Sequence, residues 1–371
     1  MKVLYLTEWY PNRYDDMSGL FVRKHAEAAA RCGANICVLY LHRDSHVHKV
    51  EIVCQRTNSI QEIYVYYSGC YLHALLTGYR TVQRTYGMPD ICQLNILNKN
   101  GLLAEWLWRV HGKPYLLVEH WSGYLPQNYS FREGWHKRLM QRIARDARCI
   151  LTVSQSLTNA MKACGITNNT WKNIHNVVDD FFYKPFTGYR PFNEKKRLLH
   201  VSCFDEKAKN IRGMLRAVRH VAEKRQDFEM VLVGTGTDWN KNKAYADSLH
   251  FPAGTVRFIG KQSPEEVSEW MHCSDAFVLF SNYETYGIVL AEAMAAGLPC
   301  ISTNTTGMVI PDTCGITVPA GDEETLALMI DSMLDSYRFY EPSTLRKASK
   351  DYTANKIGSQ LSRIYREMLR S

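Results

Sequence analysis

Phe280-Ser281-Asn282-Tyr283-Glu284-Thr285-Tyr286-Gly287-Ile288-Val289-Leu290-Ala291-Glu292-Ala293-Met294-Ala295-Ala296-Gly297-Leu298-Pro299 holds one complete supersecondary step. The apolar run Ala276–Phe280 reads as a strand that stops at Ser281, and a short loop then carries Glu284. Small apolar residues from about Tyr286 form a helix that Gly297 ends, with Pro299 blocking its continuation and opening the next strand, Pro299–Ser302. Strand, loop, helix and strand in that order imply a parallel pair with a crossover helix.

Outward from this step the pattern repeats. Val3–Leu6, Ile36–Leu41, Ile63–Tyr67, Ile91–Leu94, Tyr115–Val118 and Ile150–Val153 are strand-like on one side of a break; Leu198–Val201, Met230–Val233 and Val256–Ile259 join the last two on the other. The break is Asp179–Pro191, with Pro185, Gly188 and Pro191 and no clean period, which reads as a linker. The expectation is an α/β chain of two Rossmann-like, doubly wound parallel-sheet domains facing a central cleft. Domain 1–190 precedes 191–354, and a helix over 355–371 packs back on the first domain. Such sheets bind ligands beyond the carboxyl ends of their strands.

Composition limits the partners. The chain has 371 residues and a formal charge of +8, and residues 1–180 carry +7 of it. An anionic partner is implied, but no nucleic-acid motif accompanies the charge. Eleven cysteines without a C-x-x-C pair signal neither a disulfide framework nor a zinc site. The first apolar run is broken by Glu8 and no apolar stretch is long enough to span a bilayer, so a cytoplasmic protein is expected, at most peripheral on the inner membrane surface.

Glu292 is the only charge in its predicted helix, and a carboxylate among Leu290, Ala291, Ala293 and Met294 is costly to bury without strong donors. A vicinal diol such as a ribose supplies two. The N–H groups of Thr285, Tyr286, Gly287 and Ile288 at the helix start suit a phosphate or sugar hydroxyls. Eight residues of helix put the two carboxylates on the order of 10 Å apart. Taken alone, the pair also fits a helix cap and an ion pair.

The longer context resembles the signature of the retaining family 4 glycosyltransferases: Glu284-Thr-Tyr-Gly-Ile-Val-Leu-Ala-Glu292-Ala-Met-Ala-Ala-Gly-Leu-Pro299 is similar to E-x-F/Y-G-x4-E-A-M-A-x-G-x-P. The resemblance extends over Met230–Gly236, over Val256–Gly260, which corresponds to the segment that contacts the base, and over Cys314–Asp322. It implies a GT-B fold and a nucleotide-sugar site. Where the family has R-x4-K for the departing diphosphate, this chain has Val201-Ser202-Cys203-Phe204-Asp205-Glu206-Lys207-Ala208-Lys209-Asn210. Lys209 inherits the lysine role, Cys203 stands in place of the arginine, and Lys207 or Arg212 is left to supply the missing charge. Thr306 replaces the first glycine of the family's G-G loop.

In the first half, Met17-Ser18-Gly19-Leu20-Phe21-Val22 is similar to the family's glycine loop, with Gly19 allowing close approach to a diphosphate or sugar; a plain cap by Ser18 is the alternative. By position His120, in Leu117-Val118-Glu119-His120-Trp121 at the end of a strand, resembles the histidine that reaches the donor sugar, although a strand-end histidine also serves as core. Tyr129–Arg148 carries Phe131, Trp135, Leu139 and Ile143 at i, i+4, i+8 and i+12, with Arg132, Lys137, Arg138, Arg142, Arg145 and Arg148 around them. Such a helix lies on anionic lipid or packs as an ordinary crossover.

The resemblance implies polysaccharide-type synthesis: a hexosyl group moved with retention from a UDP- or GDP-sugar to a glycan or lipid-linked glycan. Glu284, His120 and Lys209 are the catalytic candidates. Gly19, Ser202, Lys207, Lys209, Arg212, Gly260, Thr285, Tyr286, Gly287, Ile288 and Glu292 are the donor-binding candidates, with no metal and no cofactor. A UDP-sugar epimerase of the same fold and a catalytically silent sugar-nucleotide or glycan binder are the alternatives.

Overall fold

A computed structural model describes residues 1–131, 134–184, 195–305 and 307–370. Arg132, Thr306 and residues 185–194, which include the later part of the expected linker Asp179–Pro191, lie outside the described residues. The chain divides into two units, one of Met1–Val177 with Ala354–Ser371, the other Val178–Thr353. The division thus falls at Val177/Val178, ahead of the boundary expected near 190.

The first unit is an eight-stranded sheet in the order β3-β4-β2-β1-β5-β6-β7-β8. Its strands are β1 Lys2–Thr7, β2 Asn35–Arg43, β3 Val50–Thr57, β4 Ile60–Tyr67, β5 Ile91–Asn95, β6 Tyr115–Glu119, β7 Ile150–Thr152 and β8 Trp171–Asn173. All neighbours pair in parallel except β3 and β4, which form an antiparallel hairpin at the edge. That hairpin was not expected: β3, Val-Glu-Ile-Val-Cys-Gln-Arg-Thr, is largely exposed and lacks the apolar density of a strand covered on both faces.

The second unit is a six-stranded parallel sheet ordered β11-β10-β9-β12-β13-β14. It comprises β9 Lys196–Cys203, β10 Phe228–Thr235, β11 Val256–Gly260, β12 Ala276–Leu279, β13 Cys300–Thr303 and β14 Gly315–Val318. In each sheet the order reverses beside the first strand, between β1 and β5 and between β9 and β12. The loops leaving these strands frame the crevice where such sheets take ligands. Beyond Leu199 and Phe277, β9 and β12 no longer pair.

The last helix, Ala354–Arg370, packs on Leu20–Arg31 and buries Ile357, Leu361, Ile364 and Tyr365 with Val22, Ala26 and Ala29. The approach is close because Gly358 has no side chain: a Cβ there would stand 2.0 Å from the Ala28 carbonyl oxygen. Tyr365 completes a buried chain, bonding Tyr5 Oη at 2.8 Å and donating to Gln93 Oε1 at 2.6 Å. Every cysteine is a free thiol.

Helix Trp135–Asp146 differs from the amphipathic pattern expected of it. Its buried side is Met140, Ile143 and Ala144, while Trp135 is 76% exposed. Phe131 is buried but precedes the helix. Arg142 is bound by Glu105 at 2.9 Å and Arg145 by Asp146 at 3.0 Å, so part of the basic face is neutralised within the unit.

Two histidines are wholly buried, one per unit. His25 donates from Nε2 to the His175 carbonyl at 2.8 Å, and burial pushes its pKa down from 6.5 to about 4. His200 is pushed down to about 4 by the same desolvation, with the charge of Lys209 adding to it.

Two outcomes follow from this packing. Gly358→Ala should destabilise the first unit by about 2 kcal/mol, read as a lower urea midpoint. Because the unfolded chain binds protons to these histidines near 6.5 and the folded one only near 4, their stabilising effect is full above pH 6.5 and lost as pH falls toward 4. Going from about pH 7.5 to about pH 5 should cost roughly 2 kcal/mol per histidine, and replacing either by an uncharged residue should flatten that slope.

Candidate functional site

In the second unit the loops after β9 and β12 are tied together by backbone. Asn282 N donates to Ala208 O at 2.8 Å and Asn282 Nδ2 to Lys207 O at 3.0 Å. Glu206–Lys209 makes a single turn capped by Asp205, and Asn210 takes the left-handed conformation at φ 47° to start the next helix. These contacts bring Lys209 to Glu284. Lys209 Nζ meets Glu284 Oε1 at 2.5 Å, and Ser281 Oγ donates to the same oxygen at 2.8 Å. Both charged side chains are nearly dry, 13% and 11% exposed. Burial alone would pull the Lys209 ammonium down, but the Glu284 carboxylate more than offsets this and holds it above the ordinary lysine range.

Ser281 is itself fixed from the end of β13 and the loop after it: the hydroxyls of Thr303 and Thr305 donate to its carbonyl at 2.8 and 2.9 Å. Neither threonine was singled out in the sequence. The helix after Glu284 runs Ile288–Ala296, two residues shorter at its start than expected, with Gly287 at φ 83° as N-cap. Its free N–H groups therefore begin at Ile288. Thr285 and Gly287 belong to the loop. The Tyr286 ring is buried against Tyr352, so only its main chain remains for a ligand. Glu292 is half-buried in the second turn of the helix.

The other second-unit candidates are more dispersed. Lys207 is exposed, and so is Cys203. Arg212 receives no place at the ion pair: its N–H bonds the Glu206 carboxylate and its guanidinium lies over the Tyr245 ring, 5.2 Å from the centroid. Gly260 ends β11 at φ 88° with open space where a side chain would be. Ser202 is half-exposed at the end of β9 and bonds His200.

In the first unit Gly19 is the N-cap of Leu20–Arg31 at φ 57°. A Cβ there would stand 2.2 Å from the Trp9 carbonyl, so no other residue fits this turn. Phe21, two residues on, stacks on His120 at 4.1 Å between centroids, and His25 lies 5.4 Å away. His120 is 7% exposed, and neither of its ring nitrogens has a hydrogen-bond partner. Burial, with His25 beside it, keeps this imidazole neutral by pushing its pKa well down. The loop carrying it is anchored by Glu119, whose carboxylate accepts from the N–H groups of Leu97, His120 and Trp121 at 2.8–2.9 Å. Burial nonetheless raises the Glu119 pKa. A charged residue closing the apolar strand Tyr-Leu-Leu-Val-Glu was the signal available for it. Tyr124 is core, with Trp121 edge-on to it at 5.2 Å.

Two family models match in succession, Glycosyltransferase Family 4 over residues 19–180 and Glycosyl transferases group 1 over 187–353. The N-acetyl-alpha-D-glucosaminyl L-malate synthase of Bacillus anthracis is 29% identical over 237 residues, which are 60% of this chain and 60% of that protein. The chain thus spans less than two thirds of that relative. Among solved structures, the sucrose-phosphate synthase of Thermosynechococcus elongatus superposes with a TM-score of 0.81 at 18% identity, covering 100% of this chain and 99% of the other. The Anabaena protein HepE, solved with UDP and glucose, gives 0.76 at 17% identity, covering 98% and 99%. With both halves matched in order and both sheets of the Rossmann type, the chain belongs to the family 4 glycosyltransferases of GT-B fold.

Proposed function

We propose that this protein moves a hexosyl group with retention from a UDP- or GDP-sugar to a hydroxyl of a glycan or lipid-linked glycan, without a metal or other cofactor. The observation that carries this reading is the Lys209–Glu284–Ser281 cluster at the carboxyl ends of β9 and β12. Breaking the bond from the sugar C1 to the phosphate oxygen puts negative charge on the diphosphate and positive charge on the sugar. Lys209 and the N–H groups opening helix Ile288–Ala296 stabilise the former, and Glu284 orients the sugar and supports the latter. The acceptor oxygen bonds C1 on the face the phosphate leaves, and its proton passes to the leaving phosphate oxygen, so no separate protein base is needed. Glu292, half-buried in the helix, is the proposed partner of a ribose diol. In the first unit, the unpartnered imidazole of His120, stacked on Phe21, suits a sugar hydroxyl. The solved relative that holds UDP and glucose supports a nucleotide-sugar donor.

The exposed Trp135 and neighbouring Arg138 make the start of helix Trp135–Asp146 the proposed contact with an anionic membrane, on the cytoplasmic side. No helix among the described residues is long and apolar enough to cross one.

Screening UDP-glucose, UDP-galactose, UDP-N-acetylglucosamine and GDP-mannose by thermal stabilisation should identify the donor. With it, Glu284→Gln should lower transfer by about a hundredfold or more. The variant should bind the nucleoside diphosphate product severalfold more tightly than the wild type, since Lys209 no longer shares its ammonium with a carboxylate. A fully active Glu284→Gln enzyme would sink the assignment. In sedimentation with phosphatidylglycerol vesicles, Trp135→Ala and Arg138→Glu should each release protein, whereas Arg142→Gln and Arg145→Gln, already paired at home, should matter less.

A further inference from the structure

His200 stands on β9 where that strand parts from β12, one residue past the last paired position. Its ring takes over from the ladder. Nδ1 lies 2.9 Å from the Val278 carbonyl oxygen and Nε2 lies 2.8 Å from Ser202 Oγ. A carbonyl only accepts, so Nδ1 carries the proton. The ring is wholly buried, packed against the edge of Phe204, and neutral, so Nε2 offers a lone pair. The Ser202 hydroxyl has one proton and donates it there. What Ser202 Oγ presents outward is lone pairs alone.

We propose that His200 is a positioning residue of the donor crevice that makes Ser202 an obligate hydrogen-bond acceptor, so that the ligand group opposite Ser202 is a hydroxyl or N–H and not a phosphate oxygen. This rests on the reading of the second unit as the donor-binding half. A deprotonated phosphate oxygen also carries only lone pairs, and two acceptors facing each other repel. A sugar or ribose hydroxyl and a base N–H share the required chemistry, and the same constraint excludes Ser202 from assisting Lys209 at the diphosphate.

The test uses the whole chain with UDP, UDP-glucose, GDP and GDP-mannose as calorimetric probes and inorganic pyrophosphate as the probe without a donor group. Ser202→Ala is expected to weaken the nucleotide probe that the wild type binds by about tenfold, the worth of one hydrogen bond, and to leave pyrophosphate unchanged. A loss confined to the nucleotide sugar puts the donor group on the sugar; an equal loss for the nucleoside diphosphate puts it on the nucleoside. His200→Gln is expected to cost a similar factor alone but at most about twofold more in the Ser202→Ala background, because it acts through that hydroxyl. A purely structural histidine would lower the melting temperature in both backgrounds and weaken binding additively. The nitrogen-15 spectrum of the wild-type imidazole should show Nδ1 protonated and Nε2 bare, which needs no variant to fold. An Nε2-protonated ring, additive losses in binding, weakened pyrophosphate, or nucleotide binding untouched by Ser202→Ala each overturns the proposal. If the wild type binds none of the four nucleotide probes, the donor reading itself falls and takes the proposal with it.

Discussion

Where β9 and β12 separate, a carbonyl in the middle of a sheet is left without the N–H that a neighbouring strand would supply. A buried orphan of that kind costs free energy comparable to a lost hydrogen bond, so parting two central strands requires side chains to answer the backbone. In the second unit the answer comes from His200 to Val278, while on the far side of β12 Thr303 and Thr305 hold the Ser281 carbonyl. The loops bearing Lys209 and Glu284 are then stitched by Asn282. The reactive-looking groups thus rest on a floor of hydrogen bonds whose purpose is to keep two strands apart.

The two ends of that sheet are treated in opposite ways. At the amino ends, Arg197 is held by Glu229 at 2.7 Å and by the Cys273 carbonyl, while Asp275 accepts from the Arg197 N–H; charges there are saturated from within. At the carboxyl ends of β9 and β12 a close, nearly dry ion pair joins the two groups that a diphosphate and a sugar would each claim. A dry pair of this kind is strongly destabilised by removing one partner, yet it can be exchanged for new partners of the same sign. In the first unit the corresponding edge carries His120 with both nitrogens unanswered. Polar satisfaction at one edge and its lack at the other separates scaffold from site.

Much of this was legible in the sequence because it is written in periodicity and local chemistry. The alternation of strands and helices gave the two sheets, and Glu284 to Gly297 gave a strand–loop–helix step whose helix starts only two residues late. What escaped depends on distance. β3 is an exposed edge strand whose composition does not distinguish it from a loop, and β14 spans only Gly315–Val318. The face of helix Trp135–Asp146 was misread because the apolar set beginning at Trp135 competes with Met140, Ile143 and Ala144, and spacing cannot show Glu105 and Arg109 binding Arg142 and Asp146. Spacing likewise cannot show that the Arg212 guanidinium lies over the Tyr245 ring. His200 looked like any residue of an apolar strand until the absence of its ladder partner gave it work.

The helix Ala354–Arg370 closes the first unit although it follows the whole of the second in the chain. Synthesis proceeds from the amino end, so every residue of the second unit leaves the ribosome before the first unit has all of its own. Until then the groove along Leu20–Arg31, with Val22, Ala26 and Ala29 facing it, has no cover, and Tyr5 and Gln93 wait for Tyr365. The half begun first is finished last, which makes its uncovered apolar groove the interval of greatest exposure to wrong partners during folding.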